Sequence, residues 1–173
     1  RNMVDIRNVG VGEKDGELAF SNFDNNAINY VHENENNNSG LKVRVQTLNN
    51  LLNGKSPKVI KIDVEGYELF TLKGANEVLM NTDLEVIIIE INGHCHRYGN
   101  TEEEVFRLIA SFGFIPVYYN SFTRKINLLN NYNHDSDSTI FIRDLKDATF
   151  RVKHGEKIQI FGKILSSLGL KKS

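Results

Sequence analysis

Apolar and polar residues follow two different periods along the middle of the chain. Short apolar runs bounded by polar or turn-forming residues are typical of buried strands. Between these runs, apolar residues recur every three to four positions, which is typical of helices that bury one face. The pattern predicts strands over 58–63, 84–91, 114–119 and 138–142 and helices over 67–80 and 101–112.

The stretch 101–112 has the clearest helix ends. Thr101 and Glu104 have the spacing of a capping box, and Gly113 stands where a helix C-cap is expected. Earlier in the chain the pattern is weaker and predicts strands over 1–11, 17–20 and 42–45 and a short helix over 47–52. Polar segments at 22–40, 93–100 and 120–137 are predicted to be loops.

The order of these elements indicates an α/β fold. Strand, helix, strand, helix and strand over 58–119 predict right-handed crossovers and parallel strands. The last strand, 138–142, follows without room for a clear crossover helix, so we expect it to run antiparallel. The carboxyl ends of parallel strands meet at one rim of the sheet, where α/β folds place their chemistry.

Composition and charge exclude several classes of protein. The 173 residues, 40% of them hydrophobic, suit one domain, and the longest apolar run, near 86–89, is too short for a membrane span. A net charge of −1 gives no general attraction for nucleic acid. The single cysteine, Cys95, allows no intrachain disulfide and favours a reducing, cytoplasmic location.

The end of the chain, from residue 151, is basic. Its lysines are Lys153, Lys157, Lys163, Lys171 and Lys172. We predict one domain over 1–150 and a C-terminal extension over 151–173 that packs on this domain or trails from it. A helix lying on a membrane surface is the alternative for the extension.

Two carboxylates follow the apolar run 59–62. Asp63 and Glu65 would lie on the same side if the strand continued through Glu65. At a strand end they could bind a divalent cation, act as a base or accept hydrogen bonds from a ligand. The alternative is that one of them caps the helix that starts near Tyr67.

Polar residues also follow the next strand. If that strand runs parallel to the first, Glu90 and Asn92 reach the same rim as Asp63. His94 is then either a general base or an ordinary exposed loop histidine. The run His94-Cys95-His96 is not expected to bind zinc, because no second Cys/His cluster supplies further ligands. Nor is Cys95 expected to be a nucleophile, since nothing local marks an activating environment.

The chain resembles the FkbM family of methyltransferases over most of residues 1–150. The most specific part is the stretch 60–68, Ile-Lys-Ile-Asp-Val-Glu-Gly-Tyr-Glu, followed by Leu-Lys-Gly-Ala at 72–75. Further similar segments lie at 43–48, 86–92, 113–116 and 138–144. The resemblance implies a Rossmann-like class I methyltransferase sheet that ends in an antiparallel hairpin.

The same resemblance implies methyl transfer from S-adenosylmethionine to a hydroxyl of a small-molecule or glycan acceptor. The implied catalytic residues beside the transferred methyl are Asp63, Glu65, Glu90 and Asn92, with His94 or Asp63 as the base. The implied cofactor contacts are Val9 and Gly10, at the adenine-side edge, and Asp63. The loops at 22–40, 93–100 and 120–137 would select the acceptor.

Two features of the family are absent from the sequence. They are a glycine-rich loop after a first strand and an acidic residue that ends the second. The segment 1–11 would then be the third strand, so we expect a sheet incomplete at its N-terminal half and weak or no binding of S-adenosylmethionine by this chain alone, as measured by calorimetric titration. The alternatives are a non-catalytic α/β binding module and an α/β transferase in which Asp63 and Glu65 hold Mg²⁺.

Overall fold

The computed structural model describes residues 4–20, 31–32, 41–155, 159–160 and 163–164. The strands are β1 Gly10–Val11, β2 Gly16–Phe20, β3 Val31–His32, β4 Leu41–Gln46, β5 Val59–Ile62, β6 Val86–Glu90, β7 Ile115–Asn120, β8 Lys125–Leu128, β9 Ser138–Ile142, β10 Gln159–Ile160 and β11 Lys163–Ile164. The helices are α1 Leu48–Leu52, α2 Glu68–Lys73, α3 Asn76–Met80, α4 Glu102–Ser111, α5 Leu145–His154 and a 3-10 helix at His94–Tyr98.

The larger sheet has five strands in the order β5-β6-β9-β7-β8. β5 and β6 are parallel, with Lys61 opposite Ile88. β9 is antiparallel to both β6 and β7, which confirms the predicted direction of the last strand. β8 forms a hairpin with β7 inside the segment 120–137, so the prediction of a loop throughout that segment is wrong.

A smaller sheet of four strands has the order β1-β4-β2-β3. Gly10 of β1 lies opposite Val45 of β4 in a parallel ladder. The strand predicted over 1–11 is confirmed only at 10–11, because residues 4–9 form no ladder and 1–3 lie outside the described residues. The α/β class is confirmed, whereas a single Rossmann-like sheet stays a prediction.

The main core lies between the larger sheet and helices α2, α3 and α4. Alternate residues of β6, Ile87 and Ile89, are fully buried on this face, as the period of a strand requires. Val86 and Ile88 face the other side, where they line a cavity of about 270 Å³ beneath α5. Packing on this core fixes the carboxyl ends of β5 and β6, and these ends form the rim of the sheet.

The helix predicted over 67–80 is interrupted at Gly74, so that prediction is wrong. A Cβ atom at Gly74 would lie 2.1 Å from the carbonyl oxygen of Gly12, so only glycine permits this close approach. The Gly74 carbonyl accepts a hydrogen bond from the amide of Asn49 at 3.2 Å, outside the helical pattern. The contacts with Gly12, which directly follows β1, and with α1 thus lie at the break between α2 and α3.

The capping box at the start of α4 is confirmed. Thr101 Oγ1 accepts from the amide of Glu104 at 3.3 Å, and Glu104 Oε2 accepts from the amide of Thr101 at 2.8 Å. Glu102 and Glu103 add negative charge in the first turn, which the helix dipole favours. The first turn of α4 also contacts the 3-10 helix, since Glu102 Oε2 lies 3.0 Å from His96 Nε2.

We expect Thr101→Ala to lower the free energy of unfolding by about 1 kcal/mol, since the variant leaves a helix amide unsatisfied. Urea unfolding followed by circular dichroism measures the effect. Thr123→Ala, in the exposed turn between β7 and β8, is the matched control and should change the value by less than about 0.5 kcal/mol. Equal values for the two variants would contradict the capping role.

The C-terminal segment is described by helix α5 and two short strands. α5 runs across residue 150, the predicted boundary between domain and extension, and that boundary stays a prediction. Residues 159–160 and 163–164 form a short antiparallel pair of strands, so a helix at these positions is wrong. Residues 156–158, 161–162 and 165–173 of the extension lie outside the described residues. Within the described part, no helix has the length and apolarity needed to cross a bilayer.

Candidate active site at the rim of the larger sheet

The chain turns sharply where β5 ends. The strand stops at Ile62, and Glu65 has a φ of 53°, so the condition under which strand alternation would place Asp63 and Glu65 on the same side is not met. Nevertheless, carboxylate oxygens of Asp63, Glu65 and Glu90 lie within 4.8 Å of one another. The turn, rather than strand alternation, brings these three acids together.

Gly66 explains why the turn lies against the next strand's loop. Its φ is 103°, and a Cβ atom there would lie 2.5 Å from the carbonyl oxygen of His94. Any other residue would be strained and would also push the 3-10 helix away. Gly66 therefore sets the distance between the loop after β5 and the loop after β6.

This close approach pairs Glu65 with His94. His94 Nδ1 lies 3.0 Å from Glu65 Oε2, and 35% of each side chain is exposed, so a ligand can reach both. The main-chain amide of His94 also donates to Asn92 Oδ1 at 3.2 Å. Helix α2 has Tyr67 at its N-cap and no side-chain cap bond, so the alternative role of the acids as helix caps is wrong.

Asp63 and Glu90 form the second pair of the site. A hydrogen bond with Glu90, and a further one with Lys61, lower the pKa of Asp63 from its ordinary value. The bond with Asp63, followed by burial and the charges of Asp63 and Glu65, raises the pKa of Glu90. Asn92 Nδ2 donates to Glu90 Oε1 at 3.0 Å. At the rim, Asp63 thus loses its proton more readily than an ordinary aspartate, and the pKa of Glu90 is shifted in the opposite direction.

The residues predicted at the cofactor's adenine side lie one cavity away from Asp63. Val9 and Gly10 line a cavity of about 260 Å³ that Glu65 also lines, together with Phe20, Val31, Tyr67 and Tyr98. Asp63 lines a neighbouring cavity of about 200 Å³. Of the predicted catalytic residues, Glu65 therefore shares a cavity with Val9 and Gly10, whereas Asp63 lines a different one.

Sequence reasoning missed the aromatic wall of this cavity. Tyr98 Oη accepts from the amide of Val31 at 2.9 Å, and its ring centroid lies 5.2 Å from that of Tyr67. Phe70 stacks on Tyr67 with a centroid distance of 4.5 Å. The position of Tyr67 inside the acidic motif was an available signal. Tyr98 had none, because it lies in a segment read as a loop.

Glu68 was also missed as a residue that shapes the site. It is almost completely buried, and burial raises its pKa. Glu68 Oε1 accepts from the amide of Gly66 at 3.0 Å and so holds the turn from beneath. The nearby thiol of Cys95 is buried too, and burial raises its pKa to about 11, which fits the expectation that it is not a nucleophile.

The three acids offer only oxygen donors, a set that suits a hard cation such as Mg²⁺. Their hydrogen bonds to Lys61, Asn92 and His94 also explain the cluster without a metal. The arrangement can therefore bind a positively charged group, orient a hydroxyl and accept its proton.

Comparison with protein families gives one match. The family model described as the methyltransferase FkbM domain matches residues 5–116, which include the rim acids, the 3-10 helix and α4. No curated protein and no solved structure matches the chain significantly.

Proposed function

The chain belongs to the FkbM family of methyltransferases, and from this premise we propose that it methylates a hydroxyl of a small-molecule or glycan acceptor with S-adenosylmethionine as donor. The observation that carries the proposal is the Glu65–His94 pair, 3.0 Å apart, beside a cluster of carboxylates. An O-methyltransferase needs a proton acceptor next to the site of methyl transfer, and the pair supplies one.

His94 is the proposed general base. A carboxylate that accepts from Nδ1 fixes the tautomer in which Nε2 has a free lone pair. Nε2 would then take the proton of the acceptor hydroxyl, which leaves the oxygen nucleophilic toward the donor's methyl group, whose bond to sulfur would break in the transfer. Asp63 is the weaker candidate, because Lys61 and Glu90 already bind its carboxylate and lower its pKa.

The residues present fit S-adenosylmethionine in kind. The cavity with Val9, Gly10 and Tyr98 offers an apolar, aromatic wall for a flat ring, and the acids offer negative charge for a sulfonium. When bound, the cofactor supplies an electrophilic methyl group. The protein's part is to hold the acceptor oxygen in line with that methyl, since proximity and orientation supply most of the acceleration.

The proposed function also implies a Rossmann-like arrangement of the two sheets. The order β5-β6-β9-β7, with β9 antiparallel, has the form of the antiparallel end of a Rossmann-like methyltransferase sheet. β1 and β4 would continue that sheet on the cofactor side. The carboxyl ends of β5 and β6 would then face the methyl group, and Asp63 and Glu90, which lie at these ends, would be next to it.

A product assay on the intact protein tests the function. We expect release of S-adenosylhomocysteine when the protein is given S-adenosylmethionine and a panel of hydroxylated sugars and small molecules. The matched control is the same acceptor with its hydroxyls already capped by methyl groups, which should give no product. A non-catalytic binding module would bind ligand without forming S-adenosylhomocysteine, and that result would overturn the proposal.

A further inference from the structure

A second cluster of possible ligands lies on the other side of His94. A sulfur of Cys95, a ring nitrogen of His96 and a carboxylate oxygen of Glu102 lie within 4.8 Å of one another. His96 Nε2 and Glu102 Oε2 are 3.0 Å apart. The sequence argument against zinc considered only cysteine and histidine clusters, and the third donor comes from α4.

The donor types are those that zinc takes together. Zn²⁺ binds thiolate, imidazole and carboxylate in tetrahedral sites with bonds of about 2.0–2.3 Å, which places neighbouring donors roughly 3.5 Å apart. His96 Nε2 and Glu102 Oε2, 3.0 Å apart, are already close enough, and the other donor distances, at most 4.8 Å, need to shorten by no more than about 1.3 Å. The all-oxygen cluster at Asp63, by contrast, suits harder cations.

The backbone holds the ligands in place from two elements. Gly93 and Gly99, with φ of 87° and 69°, bracket the 3-10 helix that carries Cys95 and His96. A Cβ atom at Gly93 would lie 3.4 Å from Glu102 Oε1, so the helix start packs directly against this carboxylate. Glu102 is the first residue of α4 and lies between Thr101 and Glu104, whose capping box fixes the backbone of this turn.

The local charge also favours a cation. Besides burial, the negative charges of Glu102, Glu68 and Glu104 raise the pKa of the Cys95 thiol. These charges disfavour a bare thiolate, but a divalent cation reverses their effect by replacing the thiol proton. Cys95 is only 4% exposed, whereas 61% of the His96 side chain and 17% of the Glu102 side chain are exposed, so a cation reaches the cluster from the side of these two residues.

A route from that side exists. Glu102 also lines a cavity of about 530 Å³, together with Tyr132, Asn133, His134 and Asp135. Water from this cavity can complete a tetrahedral shell.

We propose that Cys95, His96 and Glu102 form a zinc site that ties the 3-10 helix to the start of α4. The bound metal restrains the helix that begins with His94, so it stabilises the Glu65–His94 pair without touching it. The site does not depend on the proposed function, because its donors are separate from the rim acids.

Cobalt substitution on the intact protein tests the site directly. The protein is stripped with a chelator and titrated with Co²⁺, and then with Zn²⁺ against a competing chelator. We expect one equivalent of Co²⁺ to give a near-ultraviolet thiolate-to-cobalt charge-transfer band. Zn²⁺ should displace the cobalt and so abolish this band. Zn²⁺ should also raise the unfolding temperature of the protein. Binding of Co²⁺ to the rim acids gives no such band, because they lack sulfur.

Variants assign the band to the three residues. Glu102→Gln and His96→Asn should each weaken Zn²⁺ binding by at least about 100-fold, since losing even a hydrogen-bond partner of a ligand costs roughly 10- to 100-fold. Cys95→Ser should remove the charge-transfer band. His154→Gln, on α5, is the control and should leave the affinity unchanged. Absence of the band, or affinities that Glu102→Gln and His96→Asn leave unchanged, would overturn the proposal even if Cys95→Ser fails to fold.

Discussion

Replacing Asp63 by asparagine in the intact protein is expected to lower kcat by about 10²- to 10³-fold, the usual effect of removing one charged group placed against a reacting centre. Asp63 follows β5 directly and lies within 4.8 Å of Glu65 and Glu90. Asparagine keeps the shape of the side chain, removes its charge and replaces one acceptor oxygen by an amide donor. The effect therefore reports electrostatics at the proposed methyl-transfer site rather than packing.

The stability of the same variant should change little. The lowered pKa of Asp63 contributes stability above its ordinary pKa, and this contribution is lost as the pH falls. The raised pKa of Glu90 contributes with the opposite sign, and Asp63 is its main cause. Since the two contributions oppose each other in a partly exposed pair, we expect a change within about 1 kcal/mol.

Two measurements check the predicted fall in kcat and the pairing of Asp63 with Glu90. The first is kcat for the best acceptor of the panel, with Asp83→Asn as the control because Asp83 is an exposed acid whose carboxylate lies 3.6 Å from Lys58. The second is the titration of Glu90 by carbon NMR, in which its pKa should fall when the Asp63 charge is removed. Unchanged kcat would take Asp63 out of the mechanism, and an unchanged Glu90 titration would contradict the pairing.

Replacing Arg143 by alanine should have the largest effect on stability, about 3 kcal/mol. Its Nε donates to the carbonyl of Leu84 at 2.9 Å, Nη1 to Phe112 at 2.8 Å and Nη2 to Leu79 at 2.6 Å. The guanidinium also lies 4.2 Å from the ring centroid of Phe114. One side chain at the end of β9 thus satisfies carbonyls at the ends of α3 and α4.

The expected size follows from hydrogen bonds to a charged group, each worth about 1.5–3 kcal/mol, reduced because water can reach some of the freed carbonyls. Urea unfolding measures the loss. Arg107→Ala is the control, since Arg107 on α4 is exposed and pairs only with Glu103 at 2.7 Å among the described contacts; it should cost less than about 0.5 kcal/mol. A similar loss for both variants would contradict the bridging role of Arg143.

Arg143→Lys separates charge from geometry. An ammonium keeps the charge but is a compact group that cannot form the planar fork of a guanidinium. We expect this variant to recover less than half of the lost stability, about 1 kcal/mol. Full recovery would show that the charge alone matters at this position.

Local pattern was sufficient for the elements that pack on the core. β5, β6, β9 and α4 are all predictable because burial forces a period of two on strands and of about 3.6 on helices. The capping box at Thr101 is equally local, since its two partners are three residues apart. The interruption of the helix predicted over 67–80, which the pattern missed, coincides with a distant contact. Gly74 interrupts a helix because of Gly12, and nothing near Gly74 in the sequence reveals that neighbour.

Local hydrophobic pattern is enough to predict that Asp63 and Glu90 reach the rim, because it fixes where the strands that carry them end. The partners of these side chains, by contrast, depend on how distant parts of the chain pack together. Glu65 bonds His94, 29 residues away, because a turn with positive φ at Glu65 and Gly66 presses its backbone against the next loop. Likewise, α4 brings Glu102 to Cys95 and His96. Such pairings depend on the path of the loops, which packing of the whole domain sets and no local period encodes.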